Sequence, residues 1–143
     1  MASIEARNPA HQSRVVPALE AAGQTYKIGD ALMFTSDGYV AISTAGIIHA
    51  IAKEDASGTT ANPTEVEMID FNELYVCRYK ASATAQNLVG QIADFTFTVG
   101  GHTLDESGAT TDVVIYALDN RDAVGTSGGR LLVRFLTALG TGI

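Results

Sequence analysis

Tryptophan is absent from this chain of 143 residues, and cysteine occurs once, at Cys77. A single thiol excludes an internal disulfide framework, and its place in the apolar run ELYVCRYK marks it as a buried structural residue. Basic residues are scarce as well: nine Lys and Arg stand against sixteen Asp and Glu, for a formal charge of −7. No two of the nine are adjacent. Affinity for phosphate needs clustered cations, so neither nucleic acid nor an anionic membrane is an expected partner. No stretch holds 18 uninterrupted apolar residues, which leaves no candidate for a membrane-spanning helix. The opening MASIEARNPAHQSR lacks an apolar core, so a signal peptide is not expected and use without secretion is.

Histidine is sparse too. His11, His49 and His102 each stand alone in sequence, no pair has the spacing of a helical metal site, and no CxxC occurs. No metal and no cofactor are expected on this basis. His102 with Asp105 and Glu106 is the nearest approach to a divalent-ion loop, but the EF-hand spacing is missing and a solvated acidic loop explains the residues. His49, in the run IIHAIA, reads as a satisfied core or interface histidine.

What is present is β texture. One domain is expected from the length. Residues 1–24 stand apart: they hold Pro9 and Pro17, little periodicity, and Arg7, His11 and Arg14 in an otherwise acidic chain. They read as an N-terminal arm, with a single β-rich domain over 25–143. From Tyr26 onward, ALMFT and YVAIS flank Ser36-Asp37-Gly38, a hairpin signal because Gly adopts positive φ at low cost. GIIHAIAKE, TEVEMID and ELYVCRYK follow as apolar runs, with the polar loop DASGTTANPT and a turn at Asp70 to Asn72 between them. ADFTFTV alternates strictly, placing Phe95, Phe97 and Val99 on one face. VVIYAL and RLLVRFLTAL close the series, and Leu131, Val133 and Phe135 share a face. Residues 82–90 are the one internal helix candidate, with Ser82 as cap and Gly90 as stop. The fold class is therefore all-β with one short helix, a small barrel or sandwich of seven to nine short strands with an extended N-terminal arm.

Two patterns raise the question of catalysis. Gly125-Thr126-Ser127-Gly128-Gly129 matches a serine-nucleophile loop. The strand-to-helix elbow of an α/β-hydrolase is excluded by context, because RLLVRFL continues as a strand. The all-β alternative is a chymotrypsin-like serine protease, with His49, then Asp55, Asp70 or Asp94, then Ser127 in chain order. Two complete six-stranded barrels barely fit this length, and no local motif selects one Asp. A turn between strands accounts for the loop, since Gly supplies positive φ and Ser and Thr bond locally. The carboxylates Asp105, Glu106, Asp112, Asp119 and Asp122 cluster in sequence, but no aromatic platform for a sugar accompanies them. No catalytic residue is assigned.

The run GQTYKIGDALMFTSDGYVAISTAGIIHAIAKED resembles the core of tailed-bacteriophage capsid decoration (cement, head-stabilising) proteins. The matching features are the Gly29-Asp30 step into a strand, the hairpin at Ser36-Asp37-Gly38, and the strand from Gly46 to the acidic Asp55. The likeness covers residues 24–80 and extends more loosely over 90–136. It implies a structural virion protein, not an enzyme, made in the host cytoplasm and seated on the outer surface of the mature capsid. It also implies the major capsid protein and other copies of the chain as partners, in a homo-oligomer with a trimer favoured. Contact through the arm points to Ile4, Arg7, Arg14, Val15 and Val16. A phage tail, receptor-binding or carbohydrate-binding β module is the alternative from a different class.

Overall fold

A computed structural model describes residues 4–6, 15–44, 47–106 and 112–136. Among these residues, eleven strands form two sheets. They are β1 (Ile4–Ala6), β2 (Val15–Leu19), β3 (Ala31–Phe34), β4 (Val40–Ile42), β5 (Ala50–Ala52), β6 (Pro63–Met68), β7 (Tyr75–Arg78), β8 (Ile92–Thr96), β9 (Thr103–Asp105), β10 (Val113–Leu118) and β11 (Arg130–Phe135). The first sheet runs β1-β7-β11-β10-β8-β9 and the second β2-β6-β5-β3-β4. The all-β class read from the sequence is thus the observed one.

Both sheets curl, and in the second the two end strands touch. In the second, Glu20 at the end of β2 meets Val40 of β4 in a parallel bridge, and Ala21 N–H donates to Val40 O at 2.8 Å. In the first, Tyr79 after β7 bridges Leu104 of β9 in the same sense, with Lys80 N–H donating to Leu104 O at 3.0 Å. The right-handed twist of short strands makes this curling cheap. Closing the rims satisfies backbone groups that an open sheet would leave to solvent.

Alternation along the strands sorts the side chains into two cores. Leu131, Val133 and Phe135 of β11 point into the first, with Tyr75 and Cys77 of β7, Val113 and Ile115 of β10, and Phe95 of β8. The Tyr75 and Phe135 rings meet edge-on at 5.1 Å, and Phe95 stacks on Phe135 at 5.9 Å. The second core gathers Tyr26, Leu32, Val40, Ala50, Ala52 and Val66. Strands β3 and β5 serve both. Ala31 and Ile51, a cross-strand pair, face the first core, while Leu32 and Ala50, the next pair, face the second. That double burial explains why these runs are apolar without alternation.

The hairpin between β3 and β4 forms where the Asp-Gly signal places it. Gly38 has φ 86°, and Gly38 N–H donates to Thr35 O at 2.9 Å. Two expectations change. The helix over 82–90 is only a 3-10 turn at Gln86–Leu88, because Ala83 is drawn off to bridge Ser127. The strand through Val99 stops at Thr96, where the chain turns: Gly101 N–H donates to Thr98 O at 2.8 Å, and Phe97 is half-buried while Val99 is exposed.

Cys77 is enclosed by the first core, and burial pushes its thiol far above the ordinary range. The native protein should therefore resist Ellman's reagent on a timescale that modifies the denatured chain completely, since the thiolate is the reactive form. A native-state rate equal to that of the denatured chain would contradict this packing.

Candidate interaction surface

The segment read as an arm is built into the body at both described ends. Ile4 is 2% exposed, pairs with Cys77 of β7, and donates its N–H to Gly29 O at 3.1 Å. Its side chain fills the first core, so it is not offered to a partner. Val15 to Leu19 pair along β6 from Glu67 to Pro63. Val16 and Ala18 face the second core, while Val15 and Leu19 face out, 42% and 41% exposed. Arg7 and Arg14 lie outside the described residues.

Among the described residues, β2 has a strand neighbour on one side only, apart from the bridge at Glu20. Pro17 shows which of its backbone groups are turned outward. Its partner Glu65 spends its own backbone on the far side: Glu65 N–H donates to the Glu54 carboxylate at 2.9 Å, and Glu65 O accepts from Lys53 N–H at 3.0 Å. The Pro17–Glu65 pair is therefore not hydrogen-bonded, and the imino nitrogen of Pro17 points to the open rim. A proline on an edge strand, aimed outward, removes no ladder bond. Val15 and Pro17 consequently turn their backbone carbonyls away from β6, with the exposed side chains of Val15 and Leu19 beside them, while the Leu19 carbonyl is taken up by the bridge to Val40. Leu19 was not among the residues singled out from sequence; the signal that finds it is its i, i+4 relation to Val15 on a strand.

The remaining candidates are occupied by structural bonds. His49 Nδ1 accepts from Phe34 N–H at 2.8 Å, and burial alone lowers the affinity of this ring for a proton. His102 is buried; its Nε2 accepts from Ala31 N–H at 3.0 Å and its Nδ1 stands 2.8 Å from Thr98 O, which fixes a neutral tautomer with the proton on Nδ1. Asp30 Oδ1 lies 3.7 Å from that Nδ1. Ser127 is exposed in the turn ahead of β11 and bridges Ala83. The ring of His49 is thus committed to β3, not to the Ser127 hydroxyl.

The acidic residues clustered in sequence are each engaged by a structural partner. Asp105 and Glu106 bind Lys80 Nζ at 3.0 and 2.9 Å, and the bond to Lys80 is the main reason that the Glu106 carboxyl lies below its ordinary value. Asp112 accepts from Phe95 N–H at 2.9 Å. Asp119 takes the Arg121 guanidinium, and Asp122 that of Arg130; each carboxyl is held down chiefly by that contact. Among the described residues, no group of three or more His, Cys, Asp or Glu side chains is placed to hold a metal ion.

Neither the known protein-family models nor the curated proteins contain a match to this chain.

Proposed function

We propose that this protein is a structural virion subunit that binds the outer surface of a mature tailed-phage capsid and stabilises it. The observation that carries the reading is the rim of β2, where Val15 and Leu19 are exposed and the backbone of Val15 and Pro17 is turned away from β6. Such an edge accepts an added strand, gaining main-chain hydrogen bonds with little sequence dependence. The resemblance over residues 24–80 supplies the identity of the partner, the major capsid protein. Of the contact residues expected from sequence, Val15 and Val16 belong to this strand, Arg7 and Arg14 flank it in the chain, and Ile4 is reassigned to the core.

A clamp of this kind acts by differential affinity. It stabilises the expanded lattice in proportion to how much better it binds that form than the immature one. Repetition over a symmetric shell multiplies a modest energy per site.

Truncating residues 1–16 is the obvious test, but it removes buried Ile4 and so confounds binding with folding. Val15→Asp with Leu19→Asp places charge on the rim and leaves both cores intact. The unaltered protein should co-sediment with expanded shells and not with immature ones. The double variant should remain in the supernatant with an unchanged melting temperature. Equal pelleting of the two proteins, or no pelleting of the unaltered one, would overturn the reading.

A further inference from the structure

The outer face of the first sheet is apolar around one unmatched cation. The first core takes Ala93, Val113 and Val133, so their chain neighbours Ile92, Val114 and Arg134 point the other way. These three form one cross-strand row over β8, β10 and β11. The register of β10 against β11 shifts between Ile115 and Ala117, so Tyr116 is the extra residue of a bulge, which sets its side chain beside the row. Tyr116 and Ile92 are 51% and 50% exposed, and Leu132, opposite the bulge, is half-buried.

Arg134 is the exception on this face. Its guanidinium lies over the Tyr116 ring at 5.6 Å, and among the described residues no carboxylate pairs with it. Lys27, Lys53, Lys80, Arg121 and Arg130 each meet one. In a chain of net charge −7, a cation without an acid stands out. It also sets a condition on what covers the face. Apolar contact with Ile92, Tyr116 and Leu132 would strip water from Arg134 as well. That is costly unless an anionic acceptor replaces the water. A carboxylate replaces it best, because the guanidinium fork binds it through two parallel hydrogen bonds. Tyr and Arg are also the side chains on which binding energy concentrates. With the Tyr116 ring already held against Arg134, little ordering entropy remains to be lost on contact.

We propose that this face docks an extended acidic segment of another protein, with an Asp or Glu on Arg134 and an apolar side chain on Ile92 and Tyr116. Strands lie about 4.8 Å apart, so the row from Ile92 to Arg134 spans about 10 Å, the length of roughly three residues of extended chain. The face belongs to the sheet that does not contain β2, and the contact is independent of the capsid reading.

Panning a displayed library of random heptapeptides against the full chain tests this. The selected peptides should carry an Asp or Glu with an aliphatic or aromatic residue within about three positions of it. Synthesised and titrated by calorimetry, they should bind Arg134→Gln at least about tenfold more weakly than the unaltered chain. Arg134→Lys, which keeps the charge and loses the fork, should recover only part of that affinity. Ile92→Asp should also weaken binding, with an unchanged melting temperature to separate lost contact from lost fold. The Val15→Asp, Leu19→Asp variant should bind the peptides as the unaltered chain does, so that this contact and the capsid contact can fail separately. A selection that yields no binders, binders without an acid, or equal affinity for the unaltered chain and Arg134→Gln would overturn the proposal. So would self-association of the unaltered chain that Arg134→Gln abolishes, since the face would then belong to a second copy.

Discussion

Lowering the pH from 7.5 to 5 should bring the urea unfolding midpoint down, and His49→Asn should remove most of that decrease. His49 is buried at the junction of β3 and β5, and its Nδ1 accepts the Phe34 amide at 2.8 Å. A proton on that nitrogen would set two donors face to face. Burial lowers the folded-state affinity below the ordinary value of 6.5, so the denatured chain takes up the proton first. The neutral ring's contribution is complete above about 6.5 and is lost as the pH falls below it, at up to about 1.4 kcal/mol per unit, until the folded-state value is reached. Asn keeps an acceptor near the position of Nδ1 and does not titrate. The paired carboxyls Glu106, Asp119 and Asp122 are held below their ordinary values, so their stabilisation is lost only at lower pH, outside this window. A midpoint independent of pH in the unaltered protein, or the same pH dependence in His49→Asn, would refute it.

The second large effect belongs to Glu20. Its carboxylate is fully enclosed and has no cation in contact among the described residues. Backbone holds it: Ser57 N–H donates to Oε2 at 2.9 Å, Gly58 N–H donates to Oε1, and the Tyr26 hydroxyl reaches Oε2 at 3.4 Å. Successive amides with Gly58 at φ 85° form an anion-binding nest. The nest fastens the polar loop over residues 55–62 to the end of the second core. Glu20→Ala should cost about 3 kcal/mol, through orphaned amides and a vacated space, and lower the melting temperature by roughly 10 °C. Glu20→Gln should recover only part of this, because its NH2 confronts an amide donor. Hydrogen exchange at Ser57 and Gly58 should accelerate in both variants by more than at Leu131. A melting temperature within about 2 °C of the unaltered protein would show that the nest contributes little.

How far the sequence foretells these features depends on their range. The hairpin at Asp37-Gly38 and the inward row Leu131, Val133 and Phe135 are local patterns, and both are found where expected. The N-terminal strands are harder to see. Ile4–Ala6 is too short to show a period, and Pro17 argues against a strand unless its nitrogen is known to face outward. That knowledge comes from Glu65, far along the chain. The helix expected over 82–90 has the right composition, but the pairing of Ala83 with Ser127 overrides it. Glu20 with Ser57, and His102 with Ala31, join residues 37 and 71 positions apart, beyond any local pattern. Of the strand proposed as a contact, only Val15 and Val16 were singled out from the sequence; that Val15 and Leu19 face out while Val16 faces the second core depends on the pairing with β6.

Strands β3 and β5 have one consequence for the molecule's history. Because each is a wall of both interiors, the chain has no seam. Neither half could have served as a free-standing ancestor in its present form, and recombination within residues 31–69 would leave each fragment with an interior open to water. Variation is cheapest at the rims and loop tips, which carry least of either core.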